Sequence, residues 1–138
     1  MTAGQELRTL LAELYAAFGS GDAAAWTEHA AEDIVGIGSD ADEWWQGRDT
    51  FTQVVTAQMR EISGSGGQLL SGEPQIFEEG PVAWAVDRPT LRLGDGTEVQ
   101  MRATVIADVC AGSLRIRHGH FSVGVGNEEV FAQDLTTR

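Results

Sequence analysis

The spacing of apolar residues changes period part-way along the chain, and that change constrains the fold more than any other feature of the sequence. Leu7, Leu10, Leu11, Leu14, Tyr15 and Phe18 form one stripe, and Phe51, Val54, Val55, Gln58, Met59 and Ile62 form another. Both have the spacing of an amphipathic helix that buries one face. After "SGSGG" at 63–67 the period falls to two. Residues 69–77, broken at Pro74, then 82–93, 97–110 and 114–125 read as strands, with turns at "GDG" (94–96) and "AGS" (111–113). Long antiparallel strands on short turns make a curved sheet, and the helices then pack on its concave side, an α+β arrangement.

Local signals fill in the rest. Thr2 and Gln5 have capping-box spacing, Gly19 can close the first helix, and Asp22 can cap a short second helix over 23–30 that offers Trp26 and Ala30 to a core. "DIVGIG" at 33–38 reads as a strand, and "SDADEWWQG" at 39–47 as a connection. A length of 138 residues suits a single domain, 1–138, with an ordered core of about 4–126 and a polar C-terminal tail. The net charge is −12 and the nine basic residues form no block, which argues against nucleic acid and against an anionic membrane surface as partners. The apolar runs are too short to cross a bilayer, and the start of the chain has no signal-peptide pattern, so the expected location is cytoplasmic. Cys110 is the only cysteine, which excludes an internal disulfide or a thiolate cluster; its place at the end of an apolar strand suggests a buried, inert thiol.

The order helix, helix, strand, helix, then four strands, with "GD" at 21–22, "AED" at 31–33, "EWWQGRD" at 43–49 and "RHGHFS" at 117–122, resembles the SnoaL-like members of the nuclear transport factor 2-like (ketosteroid isomerase-like) superfamily. The resemblance implies a cone-shaped half-barrel, a strongly bent and mainly antiparallel sheet wrapped around three N-terminal-side helices. It also implies a ligand pocket inside the cone and a homodimer formed through the outer face of the sheet. The superfamily holds enzymes, binders and assembly modules, so the fold alone does not set the function.

Side-chain alternation places Leu114, Ile116, His118, His120 and Ser122 on one face of the last strand, and Arg115, Arg117, Gly119, Phe121 and Val123 on the other. Two imidazoles need at least one further ligand to hold a metal. His29 lies on a helix and Glu128 lies well downstream, so no metal site is expected. The resemblance, including one to the hub domain of calcium/calmodulin-dependent protein kinase II, turns Phe121 and Arg117 into the cone and the two histidines away from it. In the preceding strand, Met101, Ala103, Val105, Ala107 and Val109 form an apolar face, read as the dimer interface. Arg102 and Thr104 then point into the cone, where the arginine needs an anionic ligand or a carboxylate such as Asp87 or Asp108. Trp44 and Trp45 face opposite ways, Trp45 being taken as pocket lining and Trp26 and Trp84 as core.

These readings give a small-molecule-binding protein whose ligand, anionic or polycyclic, is held by Tyr15, Trp45, Arg102, Thr104, Arg117 and Phe121. No cofactor is expected. The alternatives are a cofactor-free isomerase, cyclase or hydratase with Asp40 or His120 as its acid–base group, and a dimerisation module with a filled cone. On the ketosteroid isomerase pattern the tyrosine falls at Leu14, the base near Gly38 and the second aspartate near Thr104. None carries the required group, so that reaction is not expected.

Overall fold

Helix α1 (Ala3–Ser20) starts on its capping box: Thr2 Oγ1 accepts from the Gln5 N–H at 3.2 Å, and Gln5 Oε1 accepts from the Thr2 N–H at 2.9 Å. Its whole apolar stripe is buried. The helix closes on Gly21 rather than Gly19, with a left-handed φ of 77° that suits glycine. Helix α2 (Ala24–His29), strand β1 (Ala30–Ile37), strand β2 (Trp44–Gln46) and helix α3 (Arg48–Gly64) follow. The remaining elements are β3 (Gln68–Leu70), β4 (Gln75–Glu79), β5 (Val82–Asp87), β6 (Thr90–Arg92), β7 (Glu98–Cys110), β8 (Ser113–Val123) and a short helix α4 (Asn127–Phe131) within the expected tail. The structure is a computed structural model that describes residues 1–133 and 135.

Two of the strand segments read from the sequence are each divided, at Pro74 and at Pro89. The second division bends the sheet, because β5 and β6 both pair with β7, at residues 103–108 and 98–100. The main path runs β2-β1-β8-β7-β5-β4, with β6 beside β7 and β3 beside β6. Every pairing is antiparallel except β1 with β8. The result is the expected α+β half-barrel, an open curved sheet around α1, α2 and α3.

The sheet's faces differ from the sequence reading in two places. Met101, Ala103, Val105 and Ala107 are buried, with Met101, Val105 and Ala107 in the core beneath the helices; they are not an outer interface. Alternation separates a strand's faces without saying which is concave, and removal of apolar area from water, at about 25 cal/mol per Å², puts the apolar face under the helices. Strand β8 also contains a bulge. Ile116 pairs with Ala107 and His118 with Ile106, so Arg117 is an extra residue. The bulge shifts the phase: Leu114, Ile116 and Gly119 are buried, and Phe121 packs against the core, while His118, His120 and Ser122 lie on the outer face.

Two further expectations change. Cys110 is exposed at the end of β7. Trp84 is half-buried on the outer face, stacked on Phe77 with ring centroids 5.6 Å apart, and is not part of the core. No helix among the described residues is long and apolar enough to cross a membrane.

Candidate functional site

Inside the cone a cavity of about 300 Å³ lies between α1, α2, α3 and the concave face of the sheet. Gly119 of β8 lines the cavity without a side chain, and Gly36 of β1 is its register partner. The Phe51 ring sits directly on Gly36, where an added Cβ would come within 2.8 Å of it. At Gly119 the nearest atom to an added Cβ is on the Trp26 ring, 3.7 Å away.

Five aromatic side chains wall the cavity: Phe18, Trp26, Trp45, Phe51 and Phe121. They hold one another in tilted and edge-on contacts. Trp26 lies 6.1 Å from Phe51 and 5.8 Å from Phe121, and Trp45 lies 6.4 Å from Phe51. Trp26 is fixed further by its Nε1–H, which donates to the Leu14 carbonyl at 3.0 Å. Val55, Met59 and Ile62 of α3, with Leu91 and Met101, complete the apolar wall.

The polar part of the lining is at the mouth: Gly38, Ser39, Glu43, Gln58 and Glu61. The turn between β1 and β2 aims Glu43 inward. Gly38 N–H donates to the Glu43 carbonyl at 2.9 Å, and Asp40 N–H donates to Glu43 Oε1 at 2.8 Å. The other carboxylate oxygen accepts from Gln58 Nε2 on α3.

The expected site residues divide into two groups. Trp45 and Phe121 line the cavity, and Trp44 is 61% exposed. Tyr15 is buried behind the wall, edge-on to Phe121 at 6.4 Å, and its hydroxyl donates to Asp87 Oδ2 at 2.9 Å. Burial, then the Asp87 charge and that hydrogen bond, pushes the Tyr15 phenol far above its ordinary value of 10.0. Arg102, Thr104 and His120 do not reach the cavity. They line a larger, open groove of about 750 Å³ on the outer face, with Glu73, Arg88 and Ser122. The reason is register: Ala103 lies opposite Phe121, so both face inward, and Arg102 and Thr104 must face outward. Arg117 is also outside, bonded to Asp108 at 2.9 Å and to Asp33 at 3.0 Å. Asp40 is exposed, and its Oδ1 accepts from the Asp42 N–H within the turn.

Sequence reasoning did not single out Glu43 or Gln58 as lining residues. A signal existed for Gln58, the one polar member of an otherwise apolar helical stripe. Among the described residues, no group of three or more His, Cys, Asp or Glu side chains is placed to hold a metal ion.

The bent sheet enclosing three helices is the cystatin-like fold found in nuclear transport factor 2-like proteins. Among solved structures the chain is similar to a nuclear transport factor 2-like protein of unknown function from Pseudomonas putida KT2440, with 21% identity, TM-score 0.79, and 99% of this chain and 96% of that one covered. It is similar to a second such protein, from Novosphingobium aromaticivorans, with 21% identity, TM-score 0.74, and 93% and 86% covered. A third, an uncharacterised protein with a cystatin-like fold from Caulobacter vibrioides, shares 18% identity, TM-score 0.76, and 92% and 94% covered. The sequence matches no curated protein. The SnoaL-like domain model matches residues 7–126, and the chain belongs to that family.

Proposed function

We propose that this is a small-molecule-binding SnoaL-like protein whose site is the aromatic cavity inside the cone. The observation that carries this reading is the cavity itself: about 300 Å³, walled by five aromatic rings, with its polar groups confined to the mouth. Small-molecule sites have this build, mostly apolar with a few placed polar groups. The alternative of a dimerisation module with a filled cone draws no support from an open cavity.

Acid–base catalysis is the second reading, and Glu43 alone favours it. Asp40 and His120 lie outside the cavity, and the Tyr15 hydroxyl is engaged by Asp87. The sequence contains no lysine, so a Schiff base has no amine to form on.

The test is a thermal-shift titration with neutral apolar probes such as phenylbutanol, on the wild type and on Gly119→Val. Valine suits a strand, and its side chain takes up space where Gly119 lines the cavity. The wild type is expected to be stabilised, and the shift to be largely lost in the variant. No shift from any neutral probe, or equal shifts in both proteins, would overturn the reading.

We also propose a homodimer through the outer face of the sheet, on different residues from those the sequence suggested. Phe77, Trp84, Ile106 and His118 are successive cross-strand partners on β4, β5, β7 and β8. Phe77 is 43% exposed, so the row presents aromatic surface to solvent. Sedimentation equilibrium is expected to give a dimer that Trp84→Glu dissociates. A wild type that stays monomeric would remove the proposal.

A further inference from the structure

The polar groups at the mouth of the cavity are matched in one direction only. Glu43 accepts from Asp40 N–H and from Gln58 Nε2, which commits one of the two N–H donors of the Gln58 amide. The Gln58 carbonyl oxygen accepts from no protein donor among the described residues. A carboxylate also only accepts, and each of its oxygens has capacity beyond one bond. Glu61 adds a second carboxylate at the rim. Neither glutamate has a cationic partner within salt-bridge distance among the described residues. No arginine among the described residues lines the cavity. Among the described residues, the side-chain donors left in the lining are the Ser39 hydroxyl, the Trp45 indole N–H and the second Gln58 N–H, all neutral.

From this we infer that the cavity selects amphiphilic amines: ligands with a compact hydrocarbon body among the aromatic rings and a protonated nitrogen at the mouth, bonded to Glu43 and Gln58 Oε1. The inference rests on the cavity being the binding site and adds the sign and hydrogen-bonding sense of the ligand's polar end. It replaces the anionic ligand expected when Arg102 was placed in the cone. An anion there would meet two carboxylates and an amide oxygen, and like charges disfavour it. An ammonium group gains charge-assisted hydrogen bonds instead, and aromatic walls accept a nearby cation better than aliphatic ones do. The net charge of −12 adds a long-range field of the same sign preference.

The experiment uses three probes that differ only at the polar end: phenylbutylamine, phenylbutanol and phenylbutyrate. Affinities are measured by calorimetry at neutral pH on the wild type and on Glu43→Gln, which keeps the shape of the side chain and removes its charge. In the wild type the amine is expected to bind about tenfold more tightly than the alcohol, the lower end for a hydrogen bond to a charged group at a wet mouth. The carboxylate is expected to bind weakest. The readout in the variant is the amine-to-alcohol ratio, which should fall close to one. Equal binding of amine and alcohol by the wild type, or a ratio unchanged in Glu43→Gln, overturns the inference while alcohol binding keeps the cavity reading in place. Failure of all three probes to bind overturns both.

Discussion

Asp87→Ala is expected to destabilise the fold by on the order of 3 kcal/mol, several times the effect of an ordinary surface change. Asp87 is 8% exposed at the end of β5, and its two oxygens serve four donors. Oδ2 accepts from the Tyr15 hydroxyl at 2.9 Å, the Gly72 N–H at 3.2 Å and the Ser71 hydroxyl at 3.3 Å, and Oδ1 accepts from the Arg88 N–H at 2.7 Å. One side chain therefore ties α1, the β3–β4 connection and the β5–β6 bend together. Alanine leaves all four donors without it, and the Tyr15 hydroxyl is buried where water does not replace the bond. Tyr15→Phe removes one donor and keeps the packing against Phe121, so about 1–2 kcal/mol is expected there. Denaturant unfolding of the two single variants and the double checks this, since a shared bond makes the double variant less destabilised than the sum.

The same pair gives the protein an alkaline limb. The folded-state pKa of Tyr15 is raised above the unfolded value of 10.0, so its contribution is complete below that value and is lost as pH rises above it. The loss is about 1.4 kcal/mol per pH unit, because the unfolded chain ionises while the folded one resists. Tyr15 is the only tyrosine, so its absorbance change reports one group. Tyrosinate is expected to appear together with unfolding, and Tyr15→Phe to flatten the limb. Ionisation with the fold intact, or an unchanged limb in the variant, would contradict the burial.

The helices were legible in the sequence because their signals are local: a stripe and a cap are complete within one segment. Most strands were legible for the same reason, the exception being β2, which lies in the segment read as a connection. Their orientation was not, because it depends on partners distant in sequence. The Ala103–Phe121 pairing decides that Arg102 faces outward, and nothing in either strand alone states that pairing. The bulge at Arg117 adds a phase shift that strict alternation cannot reproduce. The packing around the cavity is also non-local, since Gly36, which admits the Phe51 ring, and Gly119, which lines the cavity, meet in a parallel pair separated by most of the chain. Finding Glu43 in place of Asp40 required the turn geometry, in which the Asp40 N–H donates to the Glu43 carboxylate. Phe121 was identifiable because the resemblance set its face, whereas alternation said that one of Trp44 and Trp45 turns inward without saying which; the structure places Trp45 in the lining.

The second large effect is expected at Trp26, where alanine should cost about 3–5 kcal/mol, as for other buried aromatic truncations. Trp26 is 4% exposed and lies between Phe51 and Phe121, under Gly119, so its removal takes away ring contacts on several sides. It also leaves the Leu14 carbonyl without the indole donor. Trp26→Phe keeps part of the ring volume and loses the same donor, so it should fall between wild type and alanine and separate packing from hydrogen bonding. The void has a particular position, because Trp26 lines the cavity and the lost volume therefore joins it. An apolar ligand too large for the wild type should then fit Trp26→Ala and restore part of the stability through binding to the folded state alone. Thermal unfolding of Trp26→Ala across a series of neutral apolar ligands of increasing size measures this. Rescue that grows with ligand size in the variant and not in the wild type places the void beside the binding site. A loss below about 1 kcal/mol would mean that Trp26 is not a closing wall of the core. A full loss without rescue at any ligand size would separate the ring from the cavity it lines.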